Sequence, residues 1–415
     1  MIIIKNANII TMSGKNDGLG SIVIAEGKIV EVGKIDEKKY PGYEVIDAEK
    51  KTITPGLVDP HCHIGIMEEG IRFEGNDTNE MSGPIYPELR GIDSLYMKDM
   101  AFEYTYKAGI TTVNTGPGSA NVIGGTFLAM KTFGENVDDM VIKEETAMKM
   151  ALGENPKRVY GSSNKNPGTR MASAALMREW LFKAKEYHTK YHAFLNKEED
   201  AKEPSFDMKL HSLMRVFDGM IVKIHAHRAD DIMTAVRISK EFGLNATIDH
   251  ATEAYLIPEK IKEDGIKLII GPTLGMASKY ELVNKSFKSA KVLEDHNITF
   301  AIMTDHPVIT LDYINEAYKH LPKCDYILIL SDDIKWCKEN FKNENIIYSE
   351  GDLIFDMCLT SSCDGHIISN STFSWWGAWL GKNNNKKIIS PKVWFGEGNS
   401  HLDTKDLYCE NFIKL

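Results

Sequence analysis

The sequence predicts an α/β protein: a (β/α)8 barrel of TIM type, preceded by a small β module and followed by a Rossmann-like α/β half-domain. Three observations predict it. Residues 1–54 read as short strands. Residues 55–310 alternate eight short apolar strands with helical stretches, which is what a parallel barrel requires. After about residue 310 residue usage changes: Met357 is the only methionine of nineteen beyond Met303, arginine stops at Arg237, and all the cysteines except Cys62 and all the tryptophans except Trp180 fall there.

In the first module, residues 2–10, 21–33 and 44–54 are the strands, with turns at Gly14–Gly20 and Glu26–Gly27. The barrel strands are Leu57–His63, Ile110–Thr115, Thr126–Thr132, Ala147–Gly153, Met220–His225, Asn245–His250, Lys267–Gly271 and Ile298–Thr304, with helices at 93–108, 171–194, 230–242 and 288–296. Lys197–Pro204 is a solvated loop. The third segment, 311–415, begins with an amphipathic helix at 311–321, its apolar Ile314, Ala317, Tyr318 and Leu321 one face of a 3.6-residue period. Strands at 326–333, 345–350, 365–371 and 387–391 then alternate with helices at 334–341 and 352–362.

Composition bounds the function. Lys+Arg 49 against Asp+Glu 59 leaves a net charge of −10 over 415 residues, which disfavours nucleic acid as a partner. Hydrophobic content of 43% and charged content of 26% suit a globular chain. No apolar run is long enough to span a membrane. The opening MIIIKNANIITM has no basic n-region or long apolar h-region, so a cytoplasmic location is expected. The cysteines have no CxxC spacing and are expected to be free thiols.

The barrel strands end in metal-competent residues. His61 and His63 close LVDPHCH; as i and i+2 of a strand they share a face, and two imidazoles on one face can chelate a divalent ion. Alone, such a pair equally suits a structural role. Three more strand ends add His225 in IVKIHAH, His250 in ATIDHA and Asp305 in FAIMTDH. Barrel sites are built at the C-terminal ends of strands, so these residues converge. His227 shares the face of His225 if that strand continues, as a ligand or a substrate contact; otherwise it is a loop histidine. PGSANVIGG (117–125) lacks a phosphate-loop pattern and reads as a mobile active-site loop. Arg170 and Arg228 are candidate substrate-carboxylate anchors, with surface salt bridges the equal alternative.

On TPGLVDPHCH, AGITTV, KIHAH, DHATEA and TDHP, residues 1–310 closely resemble the amidohydrolase superfamily, particularly its imidazolonepropionase-like branch. The resemblance implies a hydrolase acting on an amide or cyclic-amide C–N bond of a small molecule, with a divalent metal, zinc first, and no organic cofactor. His61, His63, His225 and Asp305 would be metal ligands. His250 would be a second-metal ligand or steady the scissile group, and Asp305 would serve as general base toward a water that zinc brings to a pKa of about 7. Lys149, in TAMKMALGE, is the candidate for the carboxylated lysine that bridges two metals in some members; a barrel lysine paired with an acid is the plainer alternative. A homo-oligomer is compatible with all of this.

The C-terminal words ILSDDIKWCKENF, HIISNSTFSWWGAWLG and IISPKVWFG resemble the C-terminal portion of bacterial α-1,2-fucosyltransferases, glycosyltransferase family 11. By that resemblance Asn370, Ser371 and Ser374 would lie near the phosphates of a nucleotide-sugar donor at a helix N-terminus; the tryptophans there read first as core packing. The family's His-x-Arg-Arg-x-Asp motif has no counterpart, and residues 238–415 contain no arginine, so a donor pyrophosphate would lack its bidentate clamp. The expectation is therefore a truncated amidohydrolase joined in frame, near 307–312, to a truncated fucosyltransferase. Hydrolysis is the first reading, fucosyl transfer the alternative, and a non-catalytic relic with uncovered apolar sheet the third.

Overall fold

In a computed structural model, the structure describes residues 1–15, 17–69, 73–273 and 279–306, and beyond these 326–330, 337–338, 345–349, 353–368, 374, 378–380, 386–391 and 412–414. The first strands, β1 (Ile2–Ile9), β2 (Gly18–Ala25), β3 (Lys28–Gly33), β4 (Glu44–Asp47) and β5 (Thr52–Ile53), form one sheet in the order β3-β2-β1-β4, with β5 also on β1. Neighbours β1, β2 and β3 are antiparallel, whereas β4 and β5 run parallel to β1. One face buries Ala7, Ile9, Ile22 and Ala48. Leu19, Ile29, Val30, Val45 and Ile46 stay exposed.

The second sheet has eight strands in sequence order: β6 (Leu57–Cys62), β7 (Ile110–Thr115), β8 (Ile123–Lys131), β9 (Val141–Ala151), β10 (Ile221–Ala226), β11 (Ala246–His250), β12 (Lys267–Ile270) and β13 (Phe300–Ile302). Its ends meet, since Asp305 N donates to His61 O at 3.1 Å and His63 N to His306 O at 3.0 Å. The sheet is thus a nearly closed barrel. It is not wholly parallel as expected: β8 is antiparallel to both β7 and β9. The reason is connection length. Parallel neighbours need a crossover of about a dozen residues or more, and 116–122 and 132–140 are too short for one.

Helices α1 (Met100–Lys107), α2 (Val137–Met140), α3 (Glu154–Gly161), α4 (Arg170–Leu195), α5 (Met208–Met214), α6 (Ala229–Phe242), α7 (Pro258–Asp264) and α8 (Lys288–Asp295) surround the barrel. Thr169 caps α4 by accepting from Ala172 N, and Ser173, Ala174, Met177, Leu181 and Ala184 recur on its buried face. Along β10 the alternation is plain. Val222, Ile224 and Ala226 face the helices within the main apolar core, and Lys223 and His225 face the barrel interior.

Segment 117–125 is pinned rather than mobile. Gly118 N donates to Thr78 O and Ala120 N to Asn79 Oδ1, Asn121 Nδ2 reaches Glu80 O, Gly83 O and Tyr160 Oη, and residues 123–125 already belong to β8.

Beyond residue 325, β14 (Ile327–Ile329) and β15 (Ile346–Tyr348) pair in parallel, and β16 (Gly365–Ile367), β17 (Lys387–Ser390) and β18 (Phe412–Lys414) form a second parallel sheet, with α9 (Leu353–Ser361) between β15 and β16. Four of these strands and α9 lie where the alternation of the sequence places them; β18 carries no comparable signal. The helix expected at 311–321 and most of that at 334–341 fall outside the described residues. Cys62, Cys337, Cys358 and Cys363 are free thiols, as expected.

Candidate metal centre

Three imidazoles converge on one carboxylate oxygen at the barrel mouth. His63 Nε2, His61 Nε2 and His250 Nε2 lie 3.3, 3.7 and 4.0 Å from Asp305 Oδ1. Each ring turns its other nitrogen to a protein acceptor: His61 Nδ1 to Asp249 Oδ2 at 2.5 Å, His63 Nδ1 to Gly116 O at 2.7 Å and His250 Nδ1 to Gly271 O at 3.0 Å. Those acceptors require N–H at Nδ1, so every Nε2 presents a lone pair. The target oxygen, Asp305 Oδ1, is buried and accepts no directed hydrogen bond.

Lone pairs aimed at an anionic oxygen repel one another unless a cation lies among them. With metal–ligand bonds of about 2.0–2.2 Å, ligands of a tetrahedral ion stand about 3.3–3.6 Å apart, close to the spacings found. His61, His250 and Asp305, whose ligand atoms all lie within 4.8 Å of one another, therefore fit a divalent ion, with His63 beside them on Asp305.

A second group adjoins the first. One ligand atom each from His225, His227 and His250 lie within 4.8 Å of one another, so His250 belongs to both groups. His227 Nδ1 bonds Thr252 Oγ1 at 2.7 Å; His225 Nδ1 is buried without a hydrogen bond. Lys279 Nζ lies 3.4 Å from His227 Nε2, 3.2 Å from Glu281 Oε1 and 3.0 Å from Asn155 Oδ1. Glu281 is wholly buried, its Oε2 accepting from Glu154 N at 2.9 Å. Gly153, with φ of 83°, makes room: a Cβ there would stand 2.9 Å from that oxygen.

The electrostatics follow from burial. Desolvation pushes His61, His225, His227 and His250 well below the ordinary 6.5, which keeps them neutral and able to ligate. Burial also brings the Lys149 ammonium down to about 8. Lys149 is fully buried, its Nζ 3.3 Å from His61 Nε2. Burial alone would raise the Asp305 carboxyl; positive charge at His250, His63 and His61 lowers it, and with those rings neutral that charge falls to a bound cation.

The expected set of His61, His63, His225 and Asp305 is thus divided. His225 groups with His227 and His250, while His250 also completes the trio on Asp305. Arg170 binds the buried Asp231 at 3.0 Å, and Arg228 binds the exposed Asp230 at 2.7 Å, so both make salt bridges. Asn370 and Ser371 lie outside the described residues; Ser374 is described as helical.

Sequence reasoning missed Asp249, Lys223, Lys279 and Glu281. Lys223 Nζ reaches Asp249 Oδ2 at 2.8 Å and Pro60 O at 3.1 Å. Asp249 stands next to His250, and strict alternation would send the two to opposite faces. His250 has a left-handed φ of 71° and Ala251 of 45°, which brings both side chains inside; Asp305, at 52°, shares this strained backbone. Glu281 and Lys279 carry no sequence signal beyond residue type.

A barrel whose strand ends gather imidazoles and an aspartate is the framework of a hydrolase, and comparison with known proteins agrees. The crystal structure of an amidohydrolase from Thermotoga maritima MSB8 is 35% identical, with a TM-score of 0.70, covering 78% of this chain and 84% of that one. The chain belongs to the amidohydrolase family. It is also 28% identical over 329 residues to the amidohydrolase tasK of Hapsidospora irregularis, covering 71% of this chain and 33% of that protein. Residues 299–413 match the model of glycosyl transferase family 11. Within that region the chain is 39% identical over 115 residues to an alpha-1,2-colitosyltransferase of Escherichia coli, 26% of this chain and 37% of that protein. The chain therefore spans about a third of the length of the curated relatives it matches. No described helix is long and apolar enough to cross a membrane.

Proposed function

We propose that the chain hydrolyses an amide or cyclic-amide C–N bond of a small molecule with a divalent metal, zinc first, held at the barrel mouth. The observation that carries this reading is the set of three Nε2 lone pairs directed at Asp305 Oδ1. His61, His63 and Asp305 would hold one ion and His225 and His227 a second, with the single Nε2 lone pair of His250 within reach of either set. Such an ion supplies Lewis-acid activation of water and of the scissile carbonyl.

The chain's own groups do the rest. Asp249 fixes the His61 tautomer, and Asp305 takes the proton of the attacking water at its carboxylate. His250, at the junction of the two groups, would give its Nε2 either to the second ion or to steadying the scissile group. Lys149, whose Nζ lies 3.3 Å from His61 Nε2, would serve as a carbamate ligand, formed when its free amine adds to carbon dioxide and loses a proton. In this reading residues 1–54 are an incomplete β module, 55–310 the catalytic barrel and 311–415 a separate segment.

Purified, zinc-loaded protein should release free amine from at least one of a panel of N-acyl amino acids, dipeptides and cyclic amides. Asp305→Asn should cost about 10²–10⁴-fold, the range of a general base. Failure of the whole panel, together with no metal uptake, would overturn the reading.

A second reading, α-1,2-fucosyl-type transfer from GDP-fucose, is favoured by the family match over 299–413. Release of GDP from GDP-fucose with a galactoside acceptor tests it. The lack of arginine after Arg237 predicts none.

A further inference from the structure

At the C-terminal end of the face that α4 buries, where His188 follows Ala184 by one turn, another group of ligating side chains comes together that plays no part in the barrel mouth. His188 and His192 are one helical turn apart, and Asp218 is the last residue of the 3₁₀ turn Arg215–Asp218 that packs against α4. Their Nε2 atoms converge on the same carboxylate oxygen: His188 Nε2 is 2.8 Å from Asp218 Oδ1 and His192 Nε2 is 3.2 Å from it. The rings lie 4.1 Å apart, tilted by 34°. Ligand atoms of all three residues fall within 4.8 Å of one another.

We propose that His188, His192 and Asp218 form a surface site for a hydrated divalent transition ion of the zinc class, separate from the barrel centre and independent of the hydrolase reading. Without an ion, two N–H dipoles of like sense point at one oxygen from neighbouring rings. An ion replaces both: each imidazole moves its proton to Nδ1 and offers the Nε2 lone pair. Two imidazoles and one carboxylate suit zinc, copper or nickel better than the all-oxygen preference of magnesium or calcium.

The surroundings also favour a cation. Both histidines lie in the last turns of α4, which ends at Leu195, where the unpaired carbonyls of a helix attract positive charge. Two ammonium groups of the same helix are already engaged, Lys183 with Glu179 at 2.5 Å and Lys190 with Glu186 at 2.6 Å. Side-chain exposures of 23%, 40% and 42% for His188, His192 and Asp218 leave the remaining coordination positions to water and admit an ion without unfolding. Such an ion ties the end of α4 to the residue before Gly219, whose φ of 92° turns the chain toward β10, the strand of His225. The site is therefore a staple rather than a reaction centre.

The test is zinc uptake by the full chain, freed of any affinity tag, with ions counted by elemental analysis after equilibrium dialysis. The wild type should bind one ion more than the His188→Asn/His192→Asn variant, and His192→Asn alone should weaken that ion about tenfold or more. Asp305→Asn should leave it in place, which separates this site from the barrel. Copper(II) should show two-imidazole nitrogen splitting in its electron paramagnetic resonance spectrum, lost in the double variant. Zinc should raise the Tm of the wild type more than that of the variant. If the double variant misfolds, Asp218→Asn takes its place in the same measurements. Equal zinc uptake by wild type and variant, or a copper spectrum that the substitutions leave unchanged, would overturn the proposal.

Discussion

Asp249 Oδ2 lies 2.5 Å from His61 Nδ1, and the same oxygen takes Lys223 Nζ at 2.8 Å. One buried carboxylate thus orients a ring of the metal centre and neutralises an ammonium that has no route to solvent. The two tasks separate by mutation. Asp249→Asn leaves Lys223 an uncompensated buried charge, worth about 3–5 kcal/mol of lost stability. It also frees the His61 tautomer, which should weaken metal about 10–100-fold. Adding Lys223→Met should restore Tm while metal affinity stays low. Recovery of both together would show that Asp249 acts only through folding.

His250 is the residue common to the two groups of ligating atoms. Metal isotherms should record this. His63→Ala should weaken one class of ion and His227→Ala the other, each about tenfold or more, whereas His250→Ala, which removes a single Nε2 lone pair, should weaken one class and spare the other. An isotherm for His250→Ala that matches the one for His63→Ala assigns it to the first ion, one that matches His227→Ala to the second, and an unchanged isotherm removes it from both.

The convergence of strand ends is legible because four of the eight barrel strands are short apolar runs that stop at a ligating residue, as in IVKIHAH and ATIDH. Strand direction was not legible. The apolar alternation of β8 is the same in either sense, and only the shortness of 116–122 and 132–140 hinted at its reversal. The division of the ligands was hidden for a different reason. It depends on left-handed backbone at His250 and Asp305; His and Asp are enriched there, but most of them keep a negative φ, so residue type alone does not mark these two positions. Glu281 and Lys279 enter from a loop after β12, where spacing carries no face information. Arg170 and Arg228 show the converse limit: a lone arginine signals charge, and only coordinates show that Asp231 and Asp230 already use it.

Acid should loosen the packing of β9 against the turn before β10. Glu145 accepts a bidentate pair from Arg215, whose Nη2 lies 2.9 Å from Oε1, and a bond from Thr126 Oγ1 at 3.1 Å. The Arg215 hydrogen bonds hold this carboxyl below its ordinary value, against a smaller opposing effect of burial. A depressed folded pKa stabilises the protein above the unfolded value, about 4.3, and that stabilisation is lost as pH falls through the folded one. Glu145→Gln should therefore lower stability near neutral pH, on the order of 1 kcal/mol after solvent screening. The two proteins should draw together in acid. Tm curves for both between pH 7 and about 3 check the sign, and a constant gap would refute it.

The outer wall of the barrel where its ends meet is the remaining liability. Leu57 and Val58 on β6 are 58% and 62% exposed, and Ile302 on β13 is 67% exposed, so apolar side chains face solvent on two strands that close against each other. Side chains this exposed contribute little to folding, and substitutions there should change stability by only about 0.5 kcal/mol either way. Their cost lies in association, because contiguous apolar surface on a soluble chain promotes self-assembly. Val58→Lys and Ile302→Lys together should leave metal content and Tm near those of the parent and increase the fraction that stays monodisperse at high concentration. Light scattering measures this directly. A large drop in Tm with no gain in dispersity would mean that this wall is covered and that the lysines disrupt a packed contact.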